Sequence, residues 1–179
     1  NQKQKNDFEK ISEHFIFSKL SLANSSGLFR DPSNHYDLVR PGMCLYGLNP
    51  LPEQDNPMEP VVKLDVPALQ IRKVYQGESA GYGASWGAPK DMVLATVQLG
   101  YADGFLRSLS NNGALYWQGH KCPIVGRVSM DLTIISLENV PEKDLPVEGS
   151  LFEVIGHNQS ADDLANQAGT IGYEILTSL

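Results

Sequence analysis

Apolar positions recur with two different periods along the chain, and the change of period divides it. Near the start, Phe8, Ile11 and Phe15 stand three and four residues apart, the spacing of one helix face. Residues 15–22 and 36–48 then read as short strands, the second interrupted by Pro41-Gly42. Helix and strand in alternation is the rhythm of parallel α/β structure. Three or four such elements cannot close a sheet, so this stretch reads as the end of a domain that begins upstream. Residues 49–60 carry Pro50, Pro52, Pro57 and Pro60 among acidic and amide residues. Prolines at this density forbid helix and oppose strand pairing, so an exposed linker and a domain boundary are expected there.

Beyond the prolines the period is that of strands. Val93, Ala95, Val97 and Leu99 alternate with Leu94, Thr96 and Gln98, and Val128, Met130, Leu132 and Ile134 alternate with Ser129, Asp131, Thr133 and Ile135. Leu64 and Val66 begin a third alternation whose phase shifts to Leu69 and Ile71 across Pro67, which calls for a bulge. A hairpin is expected around Gly119-His120, and residues 151–155 form a short apolar strand. Ser160, with Asp163 three residues later and Gly169 beyond the last turn, brackets a helix.

Composition narrows the functional classes. The chain has 179 residues, 41% hydrophobic and 20% charged, which fits a globular chain. Fourteen basic and 21 acidic residues give a net charge of −7, so nothing in the charge balance favours nucleic acid or an anionic membrane as partner. Two cysteines, Cys44 and Cys122, cannot build a disulfide framework, and a reducing, cytoplasmic compartment is the simpler expectation. No apolar run approaches a membrane span. The polar first residues are no signal peptide, and Asn1 in place of Met is read as the mark of a fragment or processed product.

Four stretches are richer in chemistry than packing requires. Asn24-Ser25-Ser26-Gly27 follows an expected strand and offers hydroxyls and backbone N–H groups to an anion; its plainer reading is a turn and helix cap. Arg40, in Val39-Arg40-Pro41-Gly42-Met43, falls where apolar neighbours predict burial, so it needs a ligand or an ion pair with Asp37. Tyr82 lies between Gly81 and Gly83, where the backbone turns and one phenol projects, a candidate acid or base or else an ordinary turn tyrosine. Gly100-Tyr101-Ala102-Asp103-Gly104 with Arg107 reads as a loop or hairpin. His14, His35, His120 and His157 form no ligand spacing, so no metal is expected.

Taken in order, these stretches resemble the alanine racemase family, whose members use pyridoxal phosphate. The resemblance rests on Leu22-Ala23-Asn24-Ser25-Ser26, on Val39-Arg40-Pro41-Gly42-Met43-Cys44-Leu45-Tyr46-Gly47 and on Ala80-Gly81-Tyr82-Gly83. It continues through Gly100-Tyr101-Ala102-Asp103-Gly104, Val125-Gly126-Arg127-Val128-Ser129-Met130-Asp131 and Ile171-Gly172-Tyr173-Glu174-Ile175-Leu176. It implies an α+β fragment: residues 1–48 as the last strands and helices of a cofactor-binding (β/α)8 barrel, 49–60 as linker and 61–179 as a mostly-β C-terminal domain.

The resemblance also implies roles. Ser25, Gly42, Met43 and Tyr173 would bind the cofactor phosphate, and Arg40 would face its pyridine nitrogen. Tyr82 would be the catalytic base for the L-enantiomer, and the Met130 backbone would bind the substrate carboxylate. Tyr101, Arg107 and Ile171 would line the substrate entry. The family interconverts L- and D-alanine, supplying D-alanine for peptidoglycan, and works as a homodimer whose partner completes each site. The lysine that family members bond to the cofactor has no counterpart here, so the chain alone is expected to be inactive. A broad-specificity or serine racemase of the same fold, or a non-catalytic β-domain binding module, are the competing readings.

Overall fold

The computed structural model of the chain describes residues 2–16 and 18–179. It divides into two compact units, Asn1–Val61 and Val62–Leu179.

In the first unit, helix α1 (Gln2–Ser12) lies against the segment that follows a second helix, α2 (Ser25–Arg30). The Phe8 ring meets the Tyr36 ring edge-on at 5.1 Å, and the Tyr36 hydroxyl donates to Glu9 at 3.1 Å. Of the strand expected over 15–22, Phe17 lies outside the described residues, and the remainder forms no ladder. Residues 20–24 instead run parallel to residues 37–40. Asp37 and Leu38 donate to the Leu20 carbonyl, Arg40 donates to that of Ala23, and a single parallel bridge joins Asn24 and Arg40. An extended segment with one short neighbour has too few partners for a regular strand. The strand expected over 36–48 likewise stops at Arg40. Its second half is a 3-10 turn, Met43–Tyr46, ended by Gly47 in the left-handed region. Residues 49–60 carry neither helix nor strand. Arg30 pairs with Glu53 at 2.7 Å and Asn56 donates to the Gly47 carbonyl, while Pro50 and Leu51 are buried and residues 52–57 exposed.

The second unit is built on eight strands. They are β1 (Leu64–Val74), β2 (Ser79–Ala80), β3 (Trp86–Gly87), β4 (Met92–Val97), β5 (Ala114–Trp117), β6 (His120–Pro123), β7 (Thr133–Ser136) and β8 (Leu151–Ile155). β2 and β3 pair separately; the other six form an antiparallel sheet in the order β6-β5-β8-β1-β4-β7. The phase shift read across Pro67 corresponds to a register irregularity between Ala68 and Gln70. There β1 leaves β8 and takes up β4. The two ends of the sheet approach each other through a bridge between Ile124 and Ile135 and a bond from the Val125 N–H to the Ile134 carbonyl, so the sheet curls almost into a barrel. Phe152, Leu115, Val97, Ile135 and Leu164 fill its interior, while Leu94, on the opposite face from Ile135, joins a second cluster with Met92 and Val125.

Two expectations in this unit need correcting. β5 and β6 are joined by Gln118 and Gly119, both with positive φ, so the two-residue turn lies one residue earlier than Gly119-His120. The alternation from Val128 becomes strand only at Thr133. Before it, the Val128 N–H goes to Ser110, the Ser129 N–H to Leu132, and the Ser129 and Met130 carbonyls accept from Tyr101 and Ala102. Backbone groups bonded in this way are not available to a ladder. Helix α3 (Ala161–Ala168) has the capping box of Ser160 and Asp163 and ends at Gly169. Helix α4 (Gly172–Ser178) follows it. A buried Gln159 donates to the Ala114 and Val154 carbonyls and accepts from Gln167, tying α3 to the strands.

Cys122 sits in this interior, and burial pushes its thiol up from 9.0 to about 12. Between those values the unfolded chain ionises and the folded chain does not. The stability contributed is therefore whole below about pH 9 and lost as pH rises towards 12. Two outcomes follow. Native chain at pH 8 should resist iodoacetamide at Cys122 and react once unfolded in urea. The alkaline fall of the urea midpoint should be shallower in Cys122→Ala.

Candidate functional site

Asn24 caps α2, its side chain accepting the Gly27 N–H at 3.0 Å. That cap fixes Ser25 in the first turn. Ser25 is 3% exposed, and its hydroxyl accepts the N–H groups of Gly42 at 2.9 Å and Cys44 at 3.4 Å. Its own hydroxyl hydrogen has no acceptor among the described residues. One buried hydroxyl thus gathers Ser25, Gly42 and the Met43 turn, stretches 17 residues apart in sequence.

Arg40 is exposed, not buried as expected, and it does not pair with Asp37. Its guanidinium donates to the Ser21 carbonyl at 3.1 Å, to the Ser21 hydroxyl at 2.6 Å and to the Leu22 carbonyl at 3.3 Å. Asp37 accepts the Leu20 N–H instead. Arg40 borders a cavity of about 770 Å³ together with Leu22, Asn24, Ser26 and Gly27. The donors along this side of the first unit are hydroxyl, amide and guanidinium groups, a set suited to an oxyanion.

In the second unit Tyr82 opens a 3-10 turn between two positive-φ glycines and is 74% exposed, the projection its sequence context predicts. It borders a largely apolar pocket of about 300 Å³ with Arg127, Ser129 and Leu132. The Arg127 side chain has neither an ion pair nor a hydrogen bond among the described residues. The one sequence signal for Arg127 is an arginine set between the apolar Val125 and Val128.

The Tyr101 turn and Met130 are brought together. The Tyr101 N–H donates to the Ser129 carbonyl and the Ala102 N–H to the Met130 carbonyl, both at 2.9 Å. Gly100 makes this possible: a Cβ there would lie 2.1 Å from the Met130 carbonyl oxygen. Arg107 is exposed and begins the next 3-10 turn. Ser110 in that segment donates to the Arg107 carbonyl and accepts the Val128 N–H. Ile171 and Tyr173, both exposed, stand at the start of α4, whose last turn abuts the same segment, a Cβ on Gly104 falling 1.8 Å from the Ser178 carbonyl oxygen. Tyr101, Met130, Arg107, Ile171 and Tyr173 are therefore carried by connected segments, as Ser25, Gly42 and Met43 are in the first unit. No group of three His, Cys, Asp or Glu side chains that could hold a metal occurs among the described residues.

This architecture, with its mostly-β second unit, is found in solved alanine racemases. The one from Bartonella henselae, a structure with covalently bound pyridoxal phosphate, superposes with a TM-score of 0.88 at 37% identity, covering 100% of this chain and 50% of that one. The one from Acinetobacter baumannii gives 0.89 at 35% identity, with the same coverage. Residues 61–179 match the family model for the alanine racemase C-terminal domain, and residues 1–50 that for the N-terminal domain. The catabolic alanine racemase of Mesorhizobium japonicum is 47% identical over the whole chain, and the alanine racemase of Acidiphilium cryptum 46%. The chain belongs to the alanine racemase family. It spans about half the length of the curated relatives it matches, 46% and 49% of these two.

Gly100→Ala tests the contact that holds Met130. Overpacking of this kind typically costs about 1–3 kcal/mol. Urea unfolding should show a loss in that range, with backbone amide shifts at Ser129 and Met130. A loss below about 0.5 kcal/mol, the range of an indifferent surface change, would mean that the contact is not maintained in solution.

Proposed function

We propose that this chain is the C-terminal part of an alanine racemase that interconverts L- and D-alanine with pyridoxal phosphate. On this reading residues 1–48 end a (β/α)8 barrel, 49–60 link it onward, and 61–179 form the C-terminal domain of a cytoplasmic enzyme supplying D-alanine for peptidoglycan. The observation that carries the cofactor assignment is the Ser25 hydroxyl. It is buried, held by the Gly42 and Cys44 N–H groups, and left with a hydrogen to donate. A buried donor without an acceptor fits a phosphate oxygen, and the guanidinium and amide groups beside it fit the same anion.

Each residue's part is the one that the family resemblance implies. Ser25, Gly42, Met43 and Tyr173 bind the phosphate and so set the cofactor's position. Arg40, held by the oxygens of Ser21 and Leu22, is the cation for the ring nitrogen, where it disfavours protonation. Bound there, pyridoxal phosphate would withdraw electrons from the substrate and acidify its α-carbon. Tyr82 Oη takes the α-proton of the L-enantiomer and returns it in the reverse direction. The Met130 N–H, in a peptide fixed by the bond from Tyr101 to the Ser129 carbonyl, would be donated to the substrate carboxylate. Tyr101, Arg107 and Ile171 restrict what enters. In a homodimer each subunit would complete its partner's site, Tyr82 and Met130 acting across the interface.

A chimera provides the test: this chain replaces the corresponding half of the Acidiphilium cryptum enzyme. It should form D-alanine from L-alanine, and a folded, cofactor-loaded chimera that does not would overturn the reading. Tyr82→Phe should reduce L-to-D turnover about 10²–10⁴-fold with cofactor binding unchanged. A loss under about tenfold would remove Tyr82 from the role of base. Ser25→Ala should weaken cofactor affinity in the apo-chimera by roughly tenfold, the weight of one charge-assisted bond. For the dimer, two inactive chimeras are mixed, Tyr82→Phe and one lacking the cofactor lysine; subunit exchange without return of activity would place the whole site in one chain.

A further inference from the structure

The β-rich unit has a second cavity, among residues that the proposed function does not use. It measures about 350 Å³, at the small end of the range for ligand sites. Met92 and Val125, members of a buried apolar cluster, and Trp86, which packs on that cluster, form its apolar wall. Its polar lining is Ser85, Asn111, Ser136 and Glu138.

Ser136 is 1% exposed. Its hydroxyl accepts the Glu138 N–H at 3.2 Å, and its own hydrogen has no acceptor among the described residues. A buried hydroxyl normally donates, so a missing acceptor belongs beside it. Asn111 gives its side-chain carbonyl to the Gly126 N–H at 2.7 Å, which leaves the amide NH2 as two further donors. At the rim Glu138 meets Lys90 at 3.5 Å with both side chains partly open to water. An ion pair so long and so exposed contributes little and separates readily.

Donors inside, a loose pair of opposite charges at the rim and an apolar wall define the ligand. A simple cation would satisfy Glu138 and strand Lys90; a simple anion would do the reverse. A zwitterion satisfies both. We propose that this cavity binds a small free α-amino acid with an apolar side chain. The ammonium lies on Glu138, the carboxylate on Lys90 with donors from Asn111 and Ser136, and the side chain on Trp86, Met92 and Val125. The site shares no lining residue with the pocket that Tyr82 borders and does not depend on the racemase reading, so its test uses no turnover.

The 179-residue chain, isotopically labelled, is titrated with L-alanine, L-valine and L-leucine and followed at the Trp86 indole and Asn111 amide signals. Saturable shifts at about millimolar concentration are expected, tighter for valine and leucine than for alanine. Acetate and butylamine, each carrying one of the two charges, should bind about tenfold more weakly. Glu138→Gln and Lys90→Gln, both at the solvent-exposed rim, should each weaken binding by a similar factor while leaving the spectrum of the core unchanged. Absence of saturable shifts at Trp86 and Asn111, shifts confined to the surroundings of Tyr82, or affinities unaffected in both variants would overturn the proposal.

Discussion

β1 pairs with β8 through its first four residues and with β4 through the remainder, and the irregularity between Ala68 and Gln70 marks the change of partner. A bulge bends its strand and increases its twist. One strand serving two neighbours in succession turns the sheet on itself, until β6 and β7 meet through Ile124 and Ile135. The segments beyond Val97 and before Thr133 continue the pairing of β4 with β7, and the Tyr101 N–H reaches the Ser129 carbonyl. Tyr101 and Met130 are neighbours because β4 and β7 pair as far as Val97 and Thr133 and because Gly100, without a Cβ, lets the two segments close.

That dependence explains which parts of the fold could be read from sequence. Where the signal is local, it was sufficient: residues 151–155 are a strand, Ser160 and Asp163 cap α3, and the phase shift at Pro67 announces the bulge. Where backbone groups have distant partners, periodicity misled. Residues 128–132 alternate like a strand, yet their N–H and C=O groups bond to Ser110, Tyr101 and Ala102, contacts no local pattern encodes. Residues 43–46 are apolar enough for a strand but lie between Gly42 and a left-handed Gly47, and they turn. The candidate site shows the same division. Tyr82 between two glycines was legible because the glycines do the positioning. The clamp of Ser25 on Gly42 and the close approach of Gly100 to Met130 join distant segments, and only their residue types, serine and glycine, hinted at them.

Arg40 shows how an arginine can be held without being neutralised. An ion pair with Asp37 would have fixed the side chain and cancelled most of its field, since opposite charges in contact present little net charge to a third group. The chain has acids enough for such a pairing, 21 against 14 bases. Yet Asp37 takes the Leu20 N–H, and Arg40 is held by two carbonyls and a hydroxyl. Neutral oxygens supply direction and leave the formal charge whole. The ion pairs among the described residues use Lys5, Arg30, Lys63 and Lys90, while Arg107 and Arg127 join none. In an acidic protein, a cation kept clear of carboxylates retains its field for an anion arriving from solution, and that is the electrostatic condition a phosphate or an amino-acid carboxylate needs in order to bind.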